Sequence, residues 1–195
     1  MSFNPDQERD EGGRWAGGGG DDRGGESNYK AVGIKTKVAY SGSDAGVINK
    51  YVDTDFLDVN HELRTRGGQF NKLSSDIKGI VSQLDSAIAK GSLAEDLVAY
   101  RGLGPEVELK VGEAFVDEGF ISITTDPGIA KDFSHGGQIV RIEVPKFSRA
   151  LKVTDATGPA GSTGEGEREI ILSRGTVFDV SKDSSGVVTL KARLR

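Results

Sequence analysis

Apolar residues recur at helical spacing in the first half of this chain and at strand spacing in the second. Ile48, Val52, Phe56, Val59 and Leu63 fall three or four apart on one stripe, which predicts an amphipathic helix from about Val47 that ends at Gly67-Gly68. Leu73, Ile77, Ile80, Leu84 and Ile88 form a second stripe, with Gly91 as its stop. Ser92-Leu93-Ala94-Glu95 matches a capping box and predicts a short third helix. Beyond Leu97 the apolar runs shorten. Val98–Arg101, Gly119–Thr124, Gln138–Val144, Ala150–Val153, Glu169–Leu172, Thr176–Val180 and Val187–Ala192 read as strands. In the Gln138–Val144 run, Val140, Ile142 and Val144 alternate with Arg141 and Glu143, the pattern of a half-exposed strand. Asp126-Pro127 followed by Ile129, Ala130 and Phe133 predicts a short helix with Asp126 as its N-cap and proline at its first position. Helices first and strands afterwards give an α+β domain.

Residues 1–30 stand apart, being rich in charge and glycine and nearly without aliphatic side chains. Such a segment cannot bury enough apolar surface to offset its ordering entropy, so a flexible tail is expected before a folded domain at 31–195. The chain has 195 residues, a formal net charge of -5, no cysteine and two histidines, His61 and His135. The acidic balance argues against a nucleic-acid-binding surface. Without cysteine there is no disulfide framework, no thiolate chemistry and no thiolate-ligated zinc. Two histidines leave little scope for a histidine metal site or a Ser-His-Asp triad. No apolar stretch approaches the ~20 residues that span a bilayer, so neither metal nor membrane is expected.

The densest chemistry lies at Glu167-Arg168-Glu169, which precedes the apolar run Ile170-Ile171-Leu172. On a strand, residues two apart share a face, so Glu167 and Glu169 would project side by side. Adjacent carboxylates repel, and a fold that holds them together suits a cation, a proton or a developing positive charge between them. Taken alone, such a pair at a strand start is most often a solvated edge. The glycine-rich lead-in Thr157–Gly164 reads as a mobile loop over the pair. Upstream, Tyr100-Arg101-Gly102 closes one predicted strand, and Phe120-Ile121-Ser122-Ile123-Thr124-Thr125 forms another. Asp53, Asp55 and Asp58 read as a solvated helix face, and Gly102-Leu103-Gly104 lacks the third glycine of a dinucleotide fingerprint.

Arginine, then Ser-x-Thr, then Glu-x-Glu, in this order, resembles the mono-ADP-ribosyltransferases of the arginine–serine–glutamate class. That class includes clostridial binary toxins, vertebrate ecto-transferases and phage-encoded transferases. The resemblance runs from about Ile48 to the C-terminus. It takes in Tyr51, Phe56, Asn60, Leu63 and Arg64 as the family's N-terminal helix, Val144-Pro145-Lys146 as its central strand, and Glu169–Thr176 as its "EILLPRGT" segment. It implies N-terminal helices packed on two antiparallel-rich β-sheets around an NAD cleft, with NAD as substrate and no metal. Separately, Phe3–Trp15 resembles a peptide found at junctions and termini of tailed-phage head and portal-associated proteins. This implies phage origin, virion association through the tail, and action in the host bacterial cytoplasm.

By the same resemblance Arg101 grips the pyrophosphate, a task suited to a guanidinium's fixed fork. Gly102 admits the nicotinamide amide, and Phe133 either packs on nicotinamide or fills the core. Ser122 orients Glu169, with Thr124 in the same wall. Glu169 takes the ribose beside the oxocarbenium-like centre formed when the N-glycosidic bond breaks. Glu167 meets the acceptor. In this family a glutamate there goes with arginine as the target, because a guanidinium with pKa above ~12 needs a carboxylate to orient it and take its proton. The expected partner is therefore a protein presenting arginine. Two departures stand out: the usual Ser-Thr-Ser is Ser122-Ile123-Thr124, and the loop Ser134-His135-Gly136-Gly137 lacks a second NAD-binding arginine, a place assigned to neither Lys131 nor Arg141. His135 reads as a solvated loop residue. An NAD glycohydrolase and a non-catalytic virion docking module are the alternatives.

Overall fold

A computed structural model describes residues 32–158, 168–184 and 186–194. The tail at 1–30, the loop beyond Gly158 and Glu167 lie outside the described residues. Strand β1 (Ile34–Thr36) precedes helix α1 (Gly42–Lys50), which opens on a reciprocal capping box between Ser41 and Asp44. A π turn (Tyr51–Asp55) carries the same rod into α2 (Phe56–Thr65), and α3 (Ser75–Ile88) follows. Both predicted helical stripes are therefore present. The π turn adds a residue to the turn, so Tyr51 as well as Ile48, Val59 and Leu63 is fully buried, while Phe56 is only partly covered.

The strand-rich half comprises β2 (Gly91–Leu93), β3 (Leu97–Leu103), β4 (Ala114–Asp117), β5 (Ile121–Thr124), β6 (Gln138–Val144), β7 (Ala150–Lys152), β8 (Glu169–Leu172), β9 (Thr176–Lys182) and β10 (Val188–Ala192). Helix α4 (Pro127–Asp132) and the short α5 (Val153–Thr157) lie between strands. Eight strands form one sheet in the order β4-β9-β10-β6-β3-β5-β8-β7, and β1 pairs with β2 in a second. Among the described residues, every strand pairing is antiparallel except β10 with β6, in register Leu190↔Ile142.

Two corrections to the predicted elements arise between Gly91 and Glu95. No third helix forms there; Gly91–Leu93 is a strand, registered Ile34↔Leu93 and Thr36↔Gly91. Its backbone donors are already committed, Leu93 N–H to Ser148 O at 3.0 Å and Ala94 N–H to Gly33 O at 2.9 Å. Long-range pairing thus overrides the local capping pattern. Nor does Gly91 stop α3, which ends at Ile88 with Ala89 as its C-cap. Gly91 is glycine because a Cβ would lie 2.5 Å from the Ala150 carbonyl and 2.8 Å from Ile34 Cγ2.

The core has two parts. Ala99, Ile123, Val140, Ile142, Ile170, Phe178 and Leu190, all from strands, fill one. Ile48, Tyr51, Val59, Leu63, Leu84 and Ile88 from the helices meet Phe120, Leu151 and Ile171 in the other. Strand β8 serves both, with Ile170 and Leu172 facing the first cluster and Ile171 the second. That double burial explains its uninterrupted apolar run.

Candidate active site

The first residue of β8 is Glu169, only 8% exposed. Register Thr124↔Glu169 and Ser122↔Ile171 puts Ser122, Thr124 and Glu169 on one face of the β5–β8 ladder. The Ser122 hydroxyl hydrogen-bonds the Glu169 carboxylate. Burial pushes this carboxyl above the ordinary glutamate range, against the pull of the Ser122 hydrogen bond and the Arg101 charge.

Strand β3 meets β5 at Tyr100↔Thr124, and the next residue, Arg101, turns its guanidinium toward the site. Its Nη1 donates to Ser122 O at 3.3 Å and its Nη2 to Asp117 Oδ2 at 3.4 Å. Burial lowers the Arg101 pKa below its ordinary value; Asp117, Tyr51 and Glu169 oppose that drop, while the nearby Arg64 charge adds to it. The structure therefore brings Arg101, Ser122 and Glu169 together, as the motifs predict.

Three helix residues complete the site wall. Asn60 Nδ2 donates to the Tyr51 hydroxyl at 2.9 Å, and Asn60 Oδ1 accepts from Phe120 N–H at 2.8 Å. The rings of Tyr51 and Phe120 meet edge to face at 5.7 Å. Burial, then the Glu169 charge, raises the Tyr51 pKa. Arg64 grips Asp117 through Nε at 2.8 Å and Nη2 at 2.9 Å, a bidentate pair. Asp117, at the end of β4, was given no role by sequence reasoning. One of two consecutive acidic residues, Asp117-Glu118, ahead of Gly119 carries no periodic or motif signal.

The remaining predicted residues have clear structural settings. A Cβ on Gly102 would lie 2.2 Å from Ala130 O and 2.5 Å from Ser134 N, so the α4 turn alone requires glycine there. Thr124 is buried and its hydroxyl accepts from Asp126 N–H at 3.2 Å, a turn-forming contact. Phe133 is half-buried at the C-cap of α4 and belongs to neither core cluster. His135 is exposed, and Arg141 pairs with Glu143. Glu167 lies outside the described residues.

Arg168, between the two glutamates, also escaped the sequence reading. It sits at φ +49°, a left-handed backbone uncommon for a side-chain-bearing residue, and its Nη1 is paired with Asp126 Oδ2. Asp126 caps α4 through Oδ1, accepting Gly128 N–H at 2.8 Å. One carboxylate thereby ties the root of β8 to the start of α4. Chemically, the assembly offers a buried carboxylate beside a hydroxyl and two guanidiniums. It suits a substrate that bears phosphate and passes through positive charge.

Comparison with known proteins gives a consistent result. The profile of the ADP-ribosyltransferase exoenzyme family matches residues 23–194. Among solved structures, the chain is similar to the Clostridium limosum C3 exoenzyme, with TM-score 0.65, 21% identity, and coverage of 87% of this chain and 88% of that one. It is likewise similar to C3stau2 from S. aureus, solved with NAD, with TM-score 0.61, 22% identity and coverage of 86% and 91%. The transferase Vis, solved in complex with agmatine, aligns with TM-score 0.56, 19% identity and coverage of 81% and 76%. No curated protein matches the sequence.

Proposed function

Because the chain belongs to the ADP-ribosyltransferase exoenzyme family of NAD-using mono-ADP-ribosyltransferases, we propose that it transfers ADP-ribose to arginine side chains of a target protein and releases nicotinamide. The observation that carries this reading is the buried Glu169 carboxylate, hydrogen-bonded by Ser122 and faced by Arg101. Arg101 and Arg64 bind the pyrophosphate of NAD. Glu169 stands by the ribose, where its charge stabilises the cation that develops as the bond to nicotinamide breaks and the bonding electrons leave with nicotinamide. Ser122 keeps Glu169 oriented, and Phe133 packs on the nicotinamide ring.

Arginine as the acceptor rests on Glu167, two residues before Glu169. A carboxylate there orients the incoming guanidinium and accepts its proton as nitrogen attacks the anomeric carbon. Agmatine, the ligand solved with Vis, carries the same guanidinium group. The tail at 1–30, with its phage-like Phe3–Trp15 peptide, is proposed as the link to a virion, and the host bacterial cytoplasm as the place of action. Incubating the protein with labelled NAD and bacterial lysate tests the reading. Wild type should label protein. Glu169→Ala should lower both transfer and nicotinamide release by about 10²–10³-fold or more, and Glu167→Ala should abolish transfer while hydrolysis survives. Free ADP-ribose with no labelled protein would make the enzyme an NAD glycohydrolase. No turnover and no NAD binding would leave a docking module.

A further inference from the structure

Arg64 from α2 and Arg101 from β3 converge on one carboxylate although their charges repel, and the Arg64 charge adds to the lowering of the buried Arg101 pKa. What lies between them is Asp117, 7% exposed. Its carboxylate is fixed from behind. Asp117 Oδ1 accepts Gly119 N–H at 2.9 Å, and the Asp117 carbonyl accepts Gly175 N–H at 2.9 Å. β4 itself is registered Asp117↔Thr176 against β9. From that fixed position the carboxylate takes the Nε–Nη2 edge of Arg64 in a short bidentate grip, and touches Arg101 only at 3.4 Å. The second contact is long for a charge-assisted hydrogen bond, which closes to about 2.7–2.9 Å. Arg101 is thus steadied by Asp117 Oδ2 and Ser122 O.

We propose that Asp117 is a positioning residue that braces Arg64 and Arg101 as a paired cradle for the pyrophosphate of the substrate, without touching the substrate itself. One carboxylate between two guanidiniums leaves a net positive charge, so the triad still attracts a diphosphate. The same carboxylate cancels the repulsion that would otherwise splay the arginines apart. The alternative is a masking role, in which Asp117 competes with the diphosphate for both arginines. The short grip on one arginine, the long contact to the other, and the two backbone anchors favour the brace.

This inference rests on the NAD reading above, and its test separates the two. NAD affinity is measured by titration calorimetry, and kcat and KM by nicotinamide release, for wild type, Asp117→Asn, Asp117→Glu, Arg64→Gln and the Asp117→Asn/Arg64→Gln double variant. Asp117→Asn should raise Kd and KM by about tenfold or more, while kcat at saturating NAD stays within about threefold. Asp117→Glu should recover part of the affinity. The double variant should bind no more weakly than the weaker single variant, because both changes dismantle one cradle. Unchanged or tighter NAD binding by folded Asp117→Asn would overturn the brace, the tighter result pointing to masking. Additive losses in the double variant would overturn it as well, and would hold even if Asp117→Asn lowers the melting temperature. Wild type that fails to bind NAD would sink the transferase reading and this inference with it.

Discussion

Ionising Glu169 inside the fold forfeits solvation that the unfolded chain retains, and this is why burial raises its pKa. For a carboxyl raised in this way, the sign of the linkage is definite. Its contribution is complete below the unfolded value near ~4.3 and is lost as pH rises through the higher folded value. Glu169→Gln, which carries no ionisable proton, should therefore melt a few degrees above wild type at pH 8, and the difference should shrink as pH falls toward 4 in calorimetric scans. Activity should run the opposite way. Only the carboxylate stabilises a developing cation, so the acid limb of kcat/KM should lie above the ordinary glutamate range. A limb at or below that range, with no stability gain for Glu169→Gln, would show that Glu169 titrates as a solvated group. Glu169 could be singled out in the sequence because its carboxylate repeats in the short motif Glu167-Arg168-Glu169. The brace at Asp117 was not, since its partners, Arg64 and Arg101, lie 53 and 16 residues away.

At the scale of the elements, α4 shows how a short helix can be read from sequence yet be only partly understood. Asp126-Pro127 announces its start, and the cap is present. The second duty of Asp126, holding Arg168 at the root of β8, depends on a residue 42 positions away. Asp126→Ala removes both the cap and the partner of a largely buried guanidinium, and should cost about 2–4 kcal/mol in urea unfolding. Asp126→Asn retains a capping oxygen and loses only the charge, so it should recover about 1 kcal/mol of that loss. Equal losses in the two variants would assign the whole effect to the ion pair. Ser92–Glu95 marks the opposite limit of legibility. Its capping pattern is sound locally, yet the donors that would start a helix are held by Ser148 and Gly33, and two-strand pairing prevails. The π turn was also invisible, because the spacing of Ile48, Val52 and Phe56 fits an uninterrupted helix equally well.

For the whole molecule, the site lies on a seam. Tyr51, Asn60 and Arg64 come from the helical layer, and Arg101, Asp117, Ser122 and Glu169 from the strands. The seam is sealed from inside by Phe120, Leu151 and Ile171 packed against the helices, and from the rim by Arg174, whose Nη2 reaches Asp85 Oδ2 on α3 at 2.9 Å. Ile171→Ala would open a void beside Ser122, on the same face of the ladder as Ser122 and Glu169. It should lower stability by about 2–5 kcal/mol in denaturant melts, with NAD affinity falling in parallel in the folded protein. Full affinity in a folded variant would mean that the two layers hold the site independently of their packing. The α+β order was readable because helical and strand periodicities occupy separate halves of the chain. The strand order was not, since pairing partners such as β6 and β10 are far apart in sequence and similar in pattern.

That order has a consequence in time. Strand β10 is the last of the eight to be synthesised, yet it lies inside the sheet, and β9 and β4 join the remaining strands only through it. A nascent chain can assemble the helices and the ladder bearing Ser122 while β4 still lacks its lateral connection. Asp117 rides on β4, so under the brace proposed above its docking beside Arg64 and Arg101 is expected late, once β10 has tied β9 and β4 to the rest of the sheet.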